Sequence, residues 1–264
     1  MIGSLVYADY KKLIKNKLID YKDINVNQLQ PSSLDLSLSN ECYEIEYSFL
    51  SPKKKVRDKL KNLIVKKINL DNEHVFEINK TYIVRLNETL KLSNDIFGHC
   101  NPKSSTGRLD IFCRTIVDFA DEYEKIPKNY NGEMFLEITS RSFNIKFQSG
   151  NKLNQLRLVY KNHNYLNDEK LNNINSSNKI VFVDNKSEFK IENGLKVSVD
   201  LSSSNSPIAY SAKPNKSIID FNKINYHKIS DFWLPIFKQK NSLIIEKNKF
   251  YILKSKEKIR IPNN

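Results

Sequence analysis

Scarcity is the first source of information in this chain of 264 residues. It has only three cysteines, Cys42, Cys100 and Cys113, unevenly spaced and without a C-x-x-C pair. That excludes a disulfide framework and a zinc ribbon, and it fits a reducing cytoplasm. No apolar run approaches the ~18 residues of a membrane span, and residues 1–6 lack the build of a signal peptide, so no membrane role is expected. Arginine is scarce as well, seven of 43 basic residues, and there are six glycines. Both scarce types converge: Gly98, Gly107, Gly132 and Gly150 share one stretch with Arg108, Arg114, Arg141 and Arg157. Glycine marks turns that need positive φ or close backbone approach. Arginine supplies a planar, permanently charged fork for phosphate oxygens or a carboxylate. The middle of the chain is therefore the candidate site.

The formal charge is +13, but the excess is lysine spread along the chain beside abundant Asn and Ile. This reads as compositional bias rather than a nucleic-acid-binding face, while a local anionic ligand still fits. With 39% hydrophobic residues the chain can bury a real core. Asp9 is expected to cap a helix through Leu18, and Val56–Lys67 offers a second helix. Elsewhere period-two patterns dominate, as in residues 33–38, Tyr82–Leu86 and Met134–Ile138. Short strands broken by Asn, Pro and Gly predict an antiparallel barrel or sandwich.

An internal repeat sharpens the organisation. Glu77–Asn94 aligns without gaps to Glu246–Asn263, pairing Glu77 with Glu246, Asn79 with Asn248, Tyr82 with Tyr251 and Glu88 with Glu257, an offset of 169. Upstream, residues 34–37 resemble residues 199–202 at an offset of 165. Two copies of one domain are expected: residues 1–158, then an Asn-rich linker over 159–194, then an incomplete second copy over 195–264. Repeat logic assigns the second copy about 60 further residues that the sequence does not contain.

Lys103-Ser104-Ser105-Thr106-Gly107-Arg108 supplies hydroxyls, backbone and two cations, a set suited to a phosphate chain. It is not a Walker A motif, and its bland alternative is a polar turn whose hydroxyls cap a helix. Glu137 faces away from Met134, Leu136 and Ile138, either as a general base held by a barrel wall or as half of a cross-strand ion pair. Asp118, Asp121 and Glu122 are solvated loop charges or contacts for sugar hydroxyls. Gln155 binds a partner or a backbone group. The signature of zinc deaminases, H-x-E with P-C-x-x-C, has no counterpart.

At these residues the chain resembles the dCTP deaminase and dUTPase superfamily, most closely the two-repeat bacterial dCTP deaminases. The segments that carry the likeness are residues 30–36, Asn101–Asp110, Gly132 with Glu137-Ile138, and residues 153–157, in the expected order. The resemblance covers residues 1–157 well, and residues 195–264 look like the opening of the second repeat. It implies a mainly β, dUTPase-like β-clip fold, a distorted antiparallel barrel with short helices. It also implies zinc-independent hydrolysis of dCTP to dUTP and ammonia, with Mg²⁺ arriving on the triphosphate, dTTP as an inhibitor and a homo-oligomeric assembly. By motif matching, Glu137 is the general base. Ser104 and Arg108 order the water and reacting centre, Arg108 keeping the Glu137 carboxylate ionised. Lys103 and Ser105 contact phosphate, residues from Arg114 through Val117 to Asp118 line base and sugar, and Gln155 supports them. The rivals are a dUTPase, which typically uses an aspartate base where this chain has Glu137, a bifunctional enzyme, and a silent nucleotide-binding fragment.

Overall fold

The computed structural model describes residues 2–21, 26–163, 166–183, 189–203, 205–239 and 242–262. The chain divides into two units, residues 1–163 with 214–228, and residues 164–213 with 229–264. In chain order the first unit contains strands β1 (Gly3–Ser4), β2 (Ile19–Asp20), β3 (Leu34–Ile45), β4 (Ile64–Asn69), β5 (His74–Phe76), β6 (Thr81–Lys91) and β7 (Ile96–Pro102). It continues with β8 (Ile111–Val117), β9 (Lys125–Ile126), β10 (Asn131–Ser140), β11 (Asn144–Phe147) and β12 (Lys152–Tyr160). Its helices are α1 (Tyr7–Lys15), α2 (Val56–Leu60) and α3 (Ser104–Arg108). The second unit holds α4 (Asp168–Ser177), β13 (Val181–Phe182), β14 (Lys190–Ile191), β15 (Leu195–Lys196) and β16 (Ala209–Ala212). The chain returns to the first unit for β17 (Ile218–Asp220), which pairs in parallel with β11. It then finishes the second with α5 (Ile229–Phe232), β18 (Trp233–Ile236), β19 (Tyr251–Leu253) and β20 (Lys258–Ile259).

The main sheet runs β8-β10-β6-β3-β12-β7-β9, with β1 on β12, β2 on β6 and β4 on β3. Its interior strands are buried on both faces: in β3 even Asp35 and Ser37 join Leu34, Leu36 and Leu38 in the core. Glu124 draws the two ends of the sheet together. Its N–H donates to the Thr115 carbonyl of β8 at 3.0 Å, and its carbonyl accepts from the Cys100 N–H of β7 at 2.7 Å. The result is the expected mainly β, nearly closed barrel. Among the described residues no helix is long and apolar enough to cross a membrane.

Local expectations shift at helix ends. The first helix begins at Tyr7 rather than Asp9, because the Asp9 carboxylate sits in the first turn and accepts from the Val6 N–H at 3.1 Å. The second stops at Leu60, since Ile64–Asn69 is claimed by the β3 edge as β4. Val56 and Leu60 still bury their side chains, in a cluster with Ile45, Phe49, Leu63, Ile83, Ile116 and Phe135. Arg57 fastens this segment to the sheet: it bonds both oxygens of Glu41 at 2.7 and 3.0 Å and both of Glu133 at 2.5 and 2.8 Å. Arg85 adds a third bond to Glu133 at 2.7 Å. Residues expected as linker instead contribute α4, β13 and β14, and residues 214–228 leave the second copy for the first unit.

The repeat is visible in bonding geometry. The Glu77 and Glu246 N–H groups donate to Tyr82 and Tyr251 hydroxyls at 3.2 and 3.1 Å, and Lys80 and Lys249 bond Glu77 and Glu246 at 3.0 and 2.8 Å. Asn79 and Asn248 both turn through positive φ, 64° and 61°, which asparagine tolerates better than most residues. The Ser37 N–H and hydroxyl bond Glu88 at 3.0 and 2.7 Å, as those of Ser198 bond Glu257 at 2.8 and 2.7 Å. That clasp corrects the upstream register. Ser37 corresponds to Ser198, an offset of 161, so residues 34–37 do not match 199–202. Farther on, Cys42 and Ala209 hold equivalent places between β4 and β6 and between β18 and β19. The second copy therefore carries six extra residues between its clasp and β16. The last partner of the alignment, Asn263, lies outside the described residues.

Glu88 is fully buried, and a Gln28 side-chain amide donates to it at 2.7 Å in addition to the Ser37 groups. Glu88→Ala should lower the free energy of urea unfolding by roughly 2–4 kcal/mol, because three buried donors lose their acceptor. Glu257→Ala should cost less, since among the described residues only the Ser198 N–H and hydroxyl donate to that carboxylate. A second expectation concerns acid. The hydrogen bonds from Arg57 hold the Glu133 carboxyl at about 2, below its ordinary 4.5. A depressed carboxylate stabilises the fold above its unfolded value and stops doing so as pH falls through its folded value. Amide protection in residues 46–63, relative to the unstructured chain at the same pH, should fall as pH drops from 4.5 toward 2, and Glu133→Gln should remove that dependence.

Candidate active site

Strand β10 enters the sheet through a constrained corner. A Cβ at Gly132 would stand 2.8 Å from the Tyr130 hydroxyl, so any other residue there would displace that hydroxyl. That hydroxyl donates to the Glu133 carbonyl and accepts from the Asp118 N–H at 3.3 Å. A bulge between Glu133 and Phe135 then resets the register against β6. Beyond it, Phe135, Glu137 and Thr139 share one face of β10, and Glu137 lies directly opposite Arg114 of β8.

Glu137 is 2% exposed and both of its oxygens accept hydrogen bonds. Its Oε1 accepts from Arg114 Nε at 3.0 Å and from a terminal guanidinium nitrogen at 2.5 Å, and its Oε2 accepts from the Ser48 hydroxyl at 2.6 Å. Arg114 also donates to Ser48 Oγ at 2.8 Å. Since Ser48 has given its one proton to Glu137, the Tyr123 hydroxyl 2.8 Å away donates to Ser48. The guanidinium lies 3.8 Å from the Tyr123 ring centre and 4.9 Å from that of Phe112, which restricts its orientation. The group opens onto a cavity of about 800 Å³ whose wall includes Glu137, Arg114, Thr139, Glu124 and, at one edge, Pro102 and Gly107.

The 101–108 motif forms a second cluster. It passes from β7 into α3, whose Thr106 hydroxyl is buried on the Leu153 carbonyl at 2.9 Å. The Lys103 ammonium is paired with Asp35, which is 3% exposed. Ser104 and Arg108 are exposed, Ser105 is half-buried, and among the described residues none of the three side chains makes a hydrogen bond or ion pair. Gln155 accepts from the Ser33 hydroxyl at 3.3 Å.

Within one chain, then, the geometry joins Glu137 to Arg114 and leaves Ser104 and Arg108 unconnected to it. The cation on Glu137 is Arg114, not the expected Arg108, because antiparallel pairing sets 114 across from 137 while 108 precedes β8 on α3. Val117 is buried on the β8 face turned away from Arg114. Asp118 is engaged as well, its Oδ1 accepting from the Val56 N–H at 2.8 Å where α2 begins. Ser48 and Tyr123 went unanticipated, since neither lies in a motif and Ser48 is 89 residues from Glu137. Among the described residues no three of His, Cys, Asp and Glu gather as metal ligands.

Comparison with known proteins agrees with this architecture. Residues 1–164 match the family model for the 2'-deoxycytidine 5'-triphosphate deaminase N-terminal domain, and residues 167–264 match that for its C-terminal domain. The crystal structure of 2'-deoxycytidine 5'-triphosphate deaminase from Agrobacterium tumefaciens is similar at 35% identity and a TM-score of 0.93, covering 99% of this chain and 78% of that one. A probable deoxyuridine 5'-triphosphate nucleotidohydrolase of Sulfolobus islandicus rod-shaped virus 1 is 28% identical over 153 residues, 58% of this chain and 79% of the relative. A dUMP-forming dCTP deaminase of Tropheryma whipplei is 26% identical over 153 residues, 56% of this chain and 74% of the relative. By these matches, which span both halves of the sequence, the chain belongs to the 2'-deoxycytidine 5'-triphosphate deaminase family.

Proposed function

We infer that this chain is a hydrolase that deaminates dCTP to dUTP and ammonia, with Glu137 as general base. The observation that carries the reading is a buried carboxylate on a cavity wall, oriented by Arg114 and Ser48. When water replaces Ser48 on Oε2, Glu137 takes its proton as the oxygen adds to C4 of the cytosine. The carboxyl then returns protons to the ring nitrogen and to the amine, the C4–N bond breaks, and a carbonyl forms. Arg114 supports the carboxylate throughout, and with Val117 packed beneath and Asp118 at its end, β8 shapes the base and sugar region. Ser104 and Arg108 order the water and reacting centre, while Lys103 and Ser105 take the phosphates of a substrate that arrives as its Mg²⁺ complex. Gln155 supports that cluster through Ser33. Zinc has no part in this scheme, water activation falling to Glu137.

The separation of Glu137 from the unbonded Ser104 and Arg108 supports an assembly in which one copy's α3 completes the Glu137 cavity of another. A homo-oligomer is the corresponding reading.

Glu137→Gln should reduce kcat by about 10² to 10⁴ while dCTP binding persists, because the amide keeps shape but cannot take a proton. Chromatography of dCTP, dUTP and dUMP reads this directly and separates deamination from diphosphate hydrolysis; unchanged turnover would remove Glu137. Mixing inactive Glu137→Gln and Arg108→Ala chains should restore part of the activity, and mixtures as silent as their components would sink the shared site. Activity should also survive a zinc-selective chelator and vanish without Mg²⁺. Recovery only with zinc would reverse that expectation.

A further inference from the structure

The barrel seam carries a polar group that the mechanism above does not use. Four buried side-chain atoms there make no well-formed hydrogen bond: Glu124 Oε2, Thr115 Oγ1, and both amide atoms of Asn154. Asn154 is fully buried and Thr115 is 2% exposed. The Asn154 amide faces the Glu124 carboxyl and favours its charged form, yet makes no well-aligned hydrogen bond to it. The placement of Glu124 is fixed on every side. Its backbone spans β7 and β8, its φ is 66°, and its Oε1 accepts from the Thr115 N–H at 3.2 Å. It shares the cavity wall with Glu137 and Arg114.

The donor and acceptor types select the occupant of such a site. A cation would satisfy the three oxygens and leave the Asn154 amide N–H₂ without an acceptor. Water both donates and accepts, and buried waters commonly make about three bonds to otherwise unpaired groups. The charged and titratable groups facing Glu124 are Arg114 of β8 and the thiols of Cys100 on β7 and Cys113 on β8; from β12 it meets only the Asn154 amide. Burial raises both thiols above their ordinary value, so neither supplies negative charge near neutral pH. Burial also dominates at Glu124, outweighing the Thr115 N–H, the Asn154 amide and Arg114, and pushes its carboxyl up to about 7.

We propose that Glu124, Thr115 and Asn154 hold an internal water, and that through it Glu124 supplies the proton that converts departing ammonia into ammonium. The proposal rests on the deaminase reading. In that reaction the attacking water gives its oxygen to C4 and its two protons, by way of Glu137, to the ring and amine, so C–N cleavage releases neutral ammonia. Ammonium requires one proton more. The Glu124 carboxylic acid passes a proton to the water, the water passes one to the lone pair of ammonia, and solvent reprotonates the carboxylate. No electrons change hands. Ammonia is a stronger base than this carboxylate, so the transfer runs downhill, and ammonium cannot re-add to C4.

The experiment compares the unaltered chain with Glu124→Gln and Thr115→Val across pH, following ammonia release and dCTP consumption. In the unaltered chain kcat should decline as pH rises through about 7, where Glu124 loses its proton. Glu124→Gln should lower kcat about tenfold to a hundredfold below that pH, leave KM for dCTP unchanged and abolish the decline. Thr115→Val, which leaves the Glu124 carboxyl in place and removes one hydroxyl from the water site, should lower kcat by a smaller factor and keep the decline. Infrared difference spectra between pH 6 and pH 8, taken without nucleotide, should show a neutral carboxyl that Glu124→Gln lacks. A Glu124→Gln chain with unchanged kcat and pH profile overturns the proposal, as does a missing carboxyl band in the unaltered chain. If Glu124→Gln fails to fold, unchanged kcat in Thr115→Val overturns it. An unaltered chain that releases no ammonia overturns the deaminase reading, whatever the infrared spectra show.

Discussion

A carboxylate buried in a barrel wall must have its oxygens bonded and its charge met, or it costs several kcal/mol to leave water. Glu137 imposes that demand on the first unit. Arg114 answers it from the neighbouring strand, Ser48 from a distant loop, and Tyr123 by holding Ser48 and stacking on the guanidinium. Each of these needs its own support. Ser48 stays in place because residues 46–63 bury Phe49, Val56, Leu60 and Leu63, and because Arg57 ties the segment to Glu41 and Glu133. Asp118 reinforces it by accepting from the Val56 N–H. The geometry of one side chain thus depends on packing and ion pairs spread over four strands.

The two copies preserve different things. What recurs between them is architecture: a serine–glutamate clasp, a positive-φ asparagine turn, a tyrosine hydroxyl on the turn and a three-strand ladder. These groups satisfy backbone donors or set chain direction, so they hold the shape of a strand pair independent of any ligand. Asn79 and Thr81 of the recurring turn reach the cavity wall, but Glu137 and the groups that bond it, Arg114 and Ser48, lie outside the segments that recur. Scaffold and chemistry are therefore carried by separable parts of the repeat.

Membership of the deaminase family and the polar organisation of the first unit support each other from independent directions. The family match rests on sequence and fold. The cavity rests on local physics, a buried carboxylate with directed partners and, at the barrel seam, a second carboxyl raised by burial. In the proposed reaction the two carboxyls have opposite tasks, Glu137 taking protons and Glu124 giving one.

Much of this was legible in the order of residues. Alternation over Met134–Ile138 alone turns Glu137 away from its apolar neighbours, since side chains on a strand change face at every step. The scarce glycines mark real constraints at Gly132 and at Gly150, whose φ is +86°. The repeat at an offset of 169 follows from local identity, and so does its asparagine turn. Tertiary structure decided the remainder, because partners far apart in sequence leave no local signal. Pairing of β8 with β10 chose Arg114 over Arg108 for Glu137, and the β3 edge shortened α2 by claiming Ile64–Asn69. Lys103 found Asp35 across 68 positions. Register within the second copy was settled by Ser198 bonding Glu257, since six extra residues can hide in a polar run that sequence similarity reads straight through. Residue types and periodicity determine which groups want a partner; only the closed barrel determines which partner each one meets.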